Sequence, residues 1–255
     1  MLIQQIPAAF PWGSFAVLYA VGLLGGIAIL PFLAALIRAR TGETSIIRRQ
    51  LGLQYLQNAI VLACSISLGL KAAVATGLAR SVTEGWAHGI AGGGRRLMGC
   101  ALAGMLSAFI VCLIDYLILL PRLSTLRESL RPITGLPVRD KLLAALYGGI
   151  AEELIMRLGL FSLLAWATQS LVHGGTPSLV GLWSVNIAVS LLFAAGHLPA
   201  MAALAPLTTH STARVLILNF PLSLLFGYYY FTLGLEAAML THVAASVTLQ
   251  LASEF

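Results

Sequence analysis

The sequence AEELIMRLGL, residues 151–160, places Glu152, Glu153 and Arg157 inside an apolar run of spanning length, residues 142–167. A charged side chain at bilayer depth costs about 2.5–3.5 kcal/mol on insertion scales, so such residues usually serve function. On a helix, Glu153 and Arg157 are four residues apart and share a face, where they can pair. Glu152 points about 100° away from Glu153. The pattern therefore predicts that the arginine holds one carboxylate while the other faces a different partner.

The same three charges are also compatible with a purely structural arrangement. In that interpretation Glu153 and Arg157 form a buried ion pair, and Glu152 only caps a water-filled pocket. The choice between structure and chemistry depends on the rest of the chain.

The composition indicates a polytopic membrane protein. Of the 255 residues, 59% are hydrophobic and only 9% are charged, whereas soluble domains carry about 25% charged residues. No polar stretch is long enough for a separate soluble domain, so we expect one membrane-embedded unit over residues 1–255. The net charge of +6 comes largely from loop arginines and reflects topology, and no basic patch with interleaved aromatic residues indicates nucleic-acid binding. The three cysteines form neither a CxxC motif nor a disulfide framework.

Seven apolar runs are long enough to cross a bilayer as helices. They lie at residues 15–37, 55–79, 99–120, 142–167, 179–197, 215–232 and 235–251, and an eighth span is possible if one long run hides a break. No alternating strand pattern is sustained anywhere. The sequence therefore predicts an all-α transmembrane helical bundle of seven to eight spans.

The basic residues predict the orientation of the bundle. Loops on one side of the predicted spans hold ten basic residues, and those on the other side hold only Arg80, Arg95 and Arg96. The ten are Arg38, Arg40, Arg48, Arg49, Arg122, Arg127, Arg131, Arg139, Lys141 and Arg214. The positive-inside rule places the richer side in the cytoplasm, which puts the N-terminus outside and, after seven spans, the C-terminus inside.

Two histidines lie in late apolar runs with a notable residue on the same helical face. Phe193 precedes His197 by one turn, and Ser246 follows His242 by one turn. For each histidine alone, an ordinary interhelical contact is as good an explanation as function. Together with the adjacent glutamates they form a reactive set: a carboxylate can take a proton from water, and imidazoles can donate to the oxyanion that forms when that water attacks a carbonyl. Two histidines and a glutamate are also a zinc set, so a metallohydrolase is an alternative.

The three motifs, in this order, resemble those of the CAAX-protease and bacteriocin-processing enzyme (CPBP) family of intramembrane glutamic endopeptidases. The EExxxR pattern of the family corresponds to residues 152–157, and its FxxxH pattern corresponds to residues 193–197. Its third motif, a histidine followed four residues later by asparagine or another polar residue, is met in part by His242 and Ser246. A serine is shorter than an asparagine and has one donor instead of two. The resemblance covers a core at residues 142–252.

The resemblance implies the roles of the site residues. Glu152 would be the base that activates water, Glu153 and Arg157 would support it, and His197 and His242 would position the water and stabilise the tetrahedral intermediate. Phe193 and Ser246 are supporting residues of the same motifs. The family also implies a polar cavity within the membrane, open toward the cytoplasm and the lipid, and a membrane-associated protein or peptide as the substrate, which could be prenylated.

The depth of these residues raises a difficulty for a shared site. At 1.5 Å per residue, Glu152 lies about 15 Å into its span, whereas His197 falls at the inner end of the predicted fifth span. A common site therefore requires the fifth span to extend beyond Pro199, or helices that are tilted or broken.

The leading interpretation is an intramembrane endopeptidase without a metal cofactor. The HExxH, GxSG and GxGD motifs of other intramembrane protease types are absent from the sequence. A zinc-dependent version of the enzyme and a non-catalytic scaffold, immunity or transport protein of the same fold remain alternatives. The compact chain without targeting signals favours a bacterial inner membrane.

Overall fold

The regular elements of the protein are all helices within the residues that the computed structural model describes, which are 9–41, 47–78, 93–123, 126, 128, 135–171 and 176–252. The α-helices are α1 (Trp12–Ala28), α2 (Leu30–Thr41), α3 (Ile47–Thr76), α4 (Gly93–Ile114), α5 (Val138–Tyr147), α6 (Ser162–Leu171), α7 (Leu179–Gly196), α8 (Leu198–Leu204), α9 (Thr209–Leu233) and α10 (Leu235–Ala252). Three segments are π-helical: Asp115–Leu119, Gly148–Glu152 and Leu154–Phe161. The all-α prediction is confirmed for the described residues.

Six helical stretches are long and apolar enough to cross a membrane, by length and composition, in the part of the chain that is described. They are Trp12–Arg38, Ile47–Thr76, Arg95–Arg122, Leu179–Leu204, Thr209–Leu233 and Leu235–Ala252. Each corresponds to a predicted span, with bounds that differ by up to eight residues at an end. These helices identify an integral membrane protein.

The predicted fourth span, residues 142–167, is not among these six stretches. It lies within a continuous helical stretch made of α5, two π-helical segments and α6, which we call the central helix (residues 138–171). The central helix is roughly 50 Å long at about 1.5 Å per residue, but it contains Glu152, Glu153 and Arg157. Wide π-helical turns inside a helix are frequent at functional sites.

Capping residues explain why two spans begin where they do. Thr208 caps α9, because its hydroxyl oxygen accepts a hydrogen bond from the Ser211 backbone N–H and the Ser211 hydroxyl accepts from the Thr208 backbone N–H. This capping box starts α9 six residues before the apolar run that predicted it. Ser178 caps α7 by accepting a hydrogen bond from the Gly181 backbone N–H.

Side-chain contacts show how the helices run relative to the central helix. The helix α9 is parallel to it, because Arg157 contacts Ser223 and Ser162 contacts Tyr230. The helix α10 is antiparallel to it: Gly148 lies beside Ser246, and Glu153, farther along the central helix, contacts His242. The helix α3 also packs against the central helix, with Gly69 beside Leu158.

Two glycines allow the helices next to the central helix to come close. A Cβ atom on Gly69 of α3 would overlap the Leu158 carbonyl oxygen, and one on Gly149 would lie 2.9 Å from the Val243 backbone nitrogen of α10. Small residues at such crossings let helix backbones approach within a membrane. The resulting core around the central helix includes Leu154 and Leu158, which are 0% and 1% exposed.

Several basic residues that were assigned to loops lie in helices, Lys141 and Arg214 among them. Lys141, which was assigned to a basic loop, lies in the first turn of α5 and is only 1% exposed. Asp115 lies in a π-helical segment and pairs with Arg214 of α9, with Nε–Oδ1 and Nη2–Oδ2 distances of 2.7 and 2.5 Å. Arg80, Arg127 and Arg131 lie outside the described residues, and the orientation of the bundle stays a prediction.

Candidate active site

Glu153 is the centre of a polar cluster in the middle of the bundle. Its side chain is 0% exposed, and its two carboxylate oxygens face different partners. Oε1 lies 2.8 Å from Nδ1 of His242, and Oε2 lies 3.3 Å from Nε of Arg157. The ion pair with Arg157 that the four-residue spacing predicts is therefore present, although the Nε–H group is not aligned for a hydrogen bond to the carboxylate. A buried charge needs such partners, since desolvation alone would be costly.

Arg157 is fully buried and is held mainly by the helix α9. Its Nη2 group donates to the backbone oxygen and to the hydroxyl oxygen of Ser223, at 3.1 and 2.9 Å. The guanidinium carbon lies 5.6 Å from the Phe193 ring centroid and 6.0 Å from that of Phe226, within range of cation–π attraction. Nη1 has no hydrogen-bond partner among the described residues.

His242 connects the two glutamates. An ionised carboxylate can only accept hydrogen bonds, so Nδ1 of His242 donates its proton to Glu153. The other ring nitrogen, Nε2, lies 3.9 Å from Oε2 of Glu152. The ring stacks on Phe226 at a centroid distance of 4.2 Å with a 15° interplanar angle, and Phe193 approaches it edge-on at 5.7 Å. Three neighbours thus fix the direction of Nε2.

Glu152 is the more accessible carboxylate of the adjacent pair. Its side chain is 27% exposed, whereas that of Glu153 is 0% exposed. This confirms the predicted separation, in which Arg157 holds one glutamate and the other faces a different partner. That partner of Glu152 is His242, across 3.9 Å.

Gly148 and Ser246 form the part of the site next to Nε2 of His242. A Cβ atom on Gly148 would lie 3.2 Å from Nε2 and 3.6 Å from the Ser246 hydroxyl oxygen. Glycine at position 148 therefore lets the imidazole and the serine approach the central helix closely. The Ser246 hydroxyl lies on the same side of the site as Nε2, as expected for residues one helical turn apart.

His197 is near the cluster but not in it. It lies at the break between α7 and α8, and its Nδ1 is 2.9 Å from the Phe193 carbonyl oxygen, which is the one hydrogen-bond contact of its side chain among the described residues. Its ring packs on the Phe193 ring at 4.7 Å, and the same phenylalanine contacts His242. The fifth span does extend beyond Pro199, as a shared site required, and it is broken at His197.

The described residues do not present a preformed metal site. No three histidine, cysteine, aspartate or glutamate side chains within the described ranges are placed to hold one ion. A zinc set of Glu152, His197 and His242 would require His197 to move toward the other two.

A separate cavity of about 620 Å³ lies on the opposite side of α9. It is lined almost entirely by apolar side chains from α4, α7 and α9, among them Val111, Trp183, Ile217, Pro221 and Tyr228. We call it the α9 groove. It contains none of the predicted site residues, and the predicted polar cavity at Glu152 therefore stays a prediction.

Sequence reasoning missed Ser223, Phe226 and Gly148. Ser223 and Phe226 lie three residues apart in an apolar run without a motif, and Gly148 is one of 25 glycines. A buried arginine needs hydrogen-bond acceptors and packs well on aromatic rings, so partners such as Ser223 and Phe226 could have been expected. This requirement does not indicate which helix supplies them.

The comparison with known proteins gives one match. Residues 135–248 match the family model described as type II CAAX prenyl endopeptidase Rce1-like, and this segment contains every predicted site residue. No curated protein and no solved structure matches the chain.

Proposed function

The chain belongs, over residues 135–248, to the family of Rce1-like type II CAAX prenyl endopeptidases, and on this premise we propose that it is an intramembrane endopeptidase that cleaves membrane-associated proteins or peptides. The observation that carries the proposal is the position of His242, which donates from Nδ1 to Glu153 and points Nε2 toward Glu152. A purely structural Glu153–Arg157 pair would not need a second carboxylate on the far side of that imidazole.

In the proposed reaction, a water molecule bound between Glu152 and Nε2 of His242 attacks the carbonyl carbon of the scissile peptide bond. Glu152 takes the proton from the water as the new C–O bond forms. The carbonyl oxygen becomes an oxyanion, and Nε2 of His242 can donate to it when the imidazole, held between the two glutamates, carries a proton on each nitrogen before the attack. The C–N bond then breaks, and Glu152 returns the proton to the leaving amine.

The other predicted residues have supporting roles in this proposal. Glu153 and Arg157 hold the His242 imidazole and balance charge, and the Ser246 hydroxyl supplies a further donor beside Nε2. His197 would complete the oxyanion site when substrate binding moves its side chain past the Phe193 ring, which contacts both histidines. A peptidase without a metal cofactor is the form we propose. Zinc analysis of the purified protein and its sensitivity to chelators test the metal-dependent alternative.

We further propose that the central helix is a seventh span. Its length is sufficient, and its three charges lie inside the cluster with partners, not against lipid. Seven spans put the N-terminus outside and the C-terminus in the cytoplasm, in a bacterial inner membrane, with a polar cavity that reaches Glu152. The proposed substrate is a membrane-associated protein or peptide, and this class includes prenylated ones.

A non-catalytic scaffold or immunity protein of the same fold is the second candidate. Two observations favour it: Ser246 replaces the usual asparagine, and His197 does not contact the glutamates. If Glu152, His197 and His242 can each be changed to alanine without loss of the cellular phenotype, the polar cluster serves binding.

The proposal is tested by comparing peptide termini in membranes that contain the wild-type protein or the Glu152→Gln variant. We expect a set of new C-termini that is present with the wild type and absent with the variant. Glu236→Gln is a matched control, because this carboxylate lies in the first turn of α10, away from the cluster. Identical termini for wild type and Glu152→Gln would contradict the proposal.

A further inference from the structure

The helix α9 has two faces with different neighbours. Residues of the site face contact the polar cluster, and residues of the other face line the α9 groove. Pro221 and Leu224 line the groove, whereas Ser223 and Phe226, each two positions later, contact the cluster. Two positions correspond to about 200° around a helix, so the two sets point in opposite directions.

Ser223 limits the position of Arg157. Its hydroxyl and its backbone oxygen both accept from Nη2, and its side chain is 0% exposed. Since Nη1 has no partner in the described part of the chain and Nε is poorly aligned with Glu153, these two bonds are the well-formed hydrogen bonds of the guanidinium. The location of the positive charge beside Glu153 therefore depends on α9.

Phe226 limits the plane of the His242 ring. The hydrogen bond from Nδ1 to Glu153 fixes one point of the imidazole, but a ring held at one point can still tilt. The nearly parallel Phe226 ring, 1% exposed, covers one face of the imidazole at 4.2 Å. With both constraints, Nε2 stays directed toward Glu152.

We propose that Ser223 and Phe226 are positioning residues of the peptidase site: Ser223 fixes Arg157, and Phe226 fixes the plane of the His242 imidazole. The proposal rests on the proposed function. Neither residue takes part in proton transfer. Together they make one turn of α9 a part of the site, although it carries no motif.

The test compares Phe226→Leu with Leu224→Ala in the full-length protein. Leu224 lines the groove and lies two positions before Phe226, about 200° away around the helix, so its truncation disturbs the same helix on the face away from His242. With a farnesylated peptide ending in a CaaX sequence as the probe, we expect Phe226→Leu to lower kcat per folded molecule by about 10- to 100-fold, with KM unchanged. Leu224→Ala should keep the wild-type kcat.

A second readout does not depend on catalysis. In protein labelled with ¹⁵N-histidine, the signals of His242 are assigned with a His242→Gln variant. We expect the Nδ1 proton to exchange with water at least tenfold faster in Phe226→Leu than in the wild type or in Leu224→Ala. Phe226→Met, which keeps most of the side-chain volume, gives the same comparison if the leucine variant does not fold.

The role of Ser223 is tested by comparing a variant that lacks its hydroxyl with one that keeps a hydroxyl. Ser223→Ala should lower kcat, and Ser223→Thr, which keeps a hydroxyl acceptor for Nη2, should restore most of it. Equal exchange rates in Phe226→Leu and wild type, or an equal loss of kcat in Leu224→Ala, would overturn the positioning role. That outcome is distinct from failure of the proposed function, which is decided by Glu152→Gln.

Discussion

The two faces of α9 show which kinds of contact determine how the helices of this bundle are arranged. On the groove face, large apolar residues such as Ile217 and Tyr228 are 46% and 39% exposed within the chain, as expected for side chains that face lipid. On the site face, Ser223 and Phe226 are buried against a charged cluster. Because lipid tails are as apolar as leucine, little hydrophobic driving force distinguishes one apolar surface from another in a membrane.

The comparison implies that polar geometry, more than apolar area, fixes the arrangement of helices around the site. The cluster joins the central helix to α9 through Arg157 and Ser223, and to α10 through Glu153 and His242. On the groove face, among the described residues, Asn186 donates to the Leu224 backbone oxygen, and the partly exposed Arg214–Asp115 pair lies where this face ends. Substitutions on the two faces should therefore differ in their effects by much more than their volumes suggest.

The largest difference is expected for Arg157→Met against Ile217→Ala. Removal of the guanidinium leaves the buried Glu153 carboxylate without its cation, which should lower the free energy of unfolding by about 3–5 kcal/mol. The groove substitution should change it by less than about 0.5 kcal/mol. Unfolding in detergent mixtures titrated with a denaturing detergent measures both. Equal, small effects would show that the cluster is not a structural centre.

Two adjacent glycines of the central helix give a second, smaller difference. Gly149→Ala would place a Cβ atom over Val243 Cγ2 and close to the α10 backbone, and we expect it to lower the free energy of unfolding by about 1–3 kcal/mol. Gly148→Ala meets only side-chain atoms, His242 Nε2 and Ser246 Oγ. It should leave the fold intact but reduce peptide cleavage. The reverse ranking, with Gly148→Ala the less folded variant, would contradict the packing described for α10.

The smallest effect is expected where the groove face reaches the end of α4. Arg214 and Asp115 are 12% and 16% exposed, so their paired charges retain some contact with solvent. Arg214→Gln should lower the free energy of unfolding by about 1 kcal/mol and leave cleavage unchanged. Thermal unfolding of both proteins in high and low salt checks this prediction, since the difference in stability between wild type and Arg214→Gln should be smaller in high salt. A loss of cleavage equal to that of Arg157→Met would connect this pair to the site.

The sequence predicts the local part of the site and not the part that depends on the crossing of helices. The spacing of Glu153 and Arg157 alone predicts their pair, because helix geometry determines which residues share a face. The contact between His242 and Glu153 spans 89 positions, and no local pattern states which nitrogen of the ring faces which carboxylate. The contributions of Ser223 and Phe226 were missed for the same reason.

The bounds of the spans show a similar limit. Apolar runs located all six spans that the structure supports, but the start of α9 depends on the capping box at Thr208 and not on hydrophobicity. The central helix is the opposite case. It is not among the six apolar spans, and the contacts that its charged residues make inside the bundle are what favour its passage through the membrane.

The most direct test of the proposed chemistry uses purified protein reconstituted in lipid with a farnesylated peptide that ends in a CaaX sequence. Release of the C-terminal tripeptide is followed by mass spectrometry for the wild type and for Glu152→Gln, after both are shown to unfold at the same temperature. We predict release by the wild type and a loss of at least about 100-fold in the variant, since general base catalysis contributes about 10²–10⁴-fold. Equal release by the two proteins, or no release by the wild type, would contradict the account.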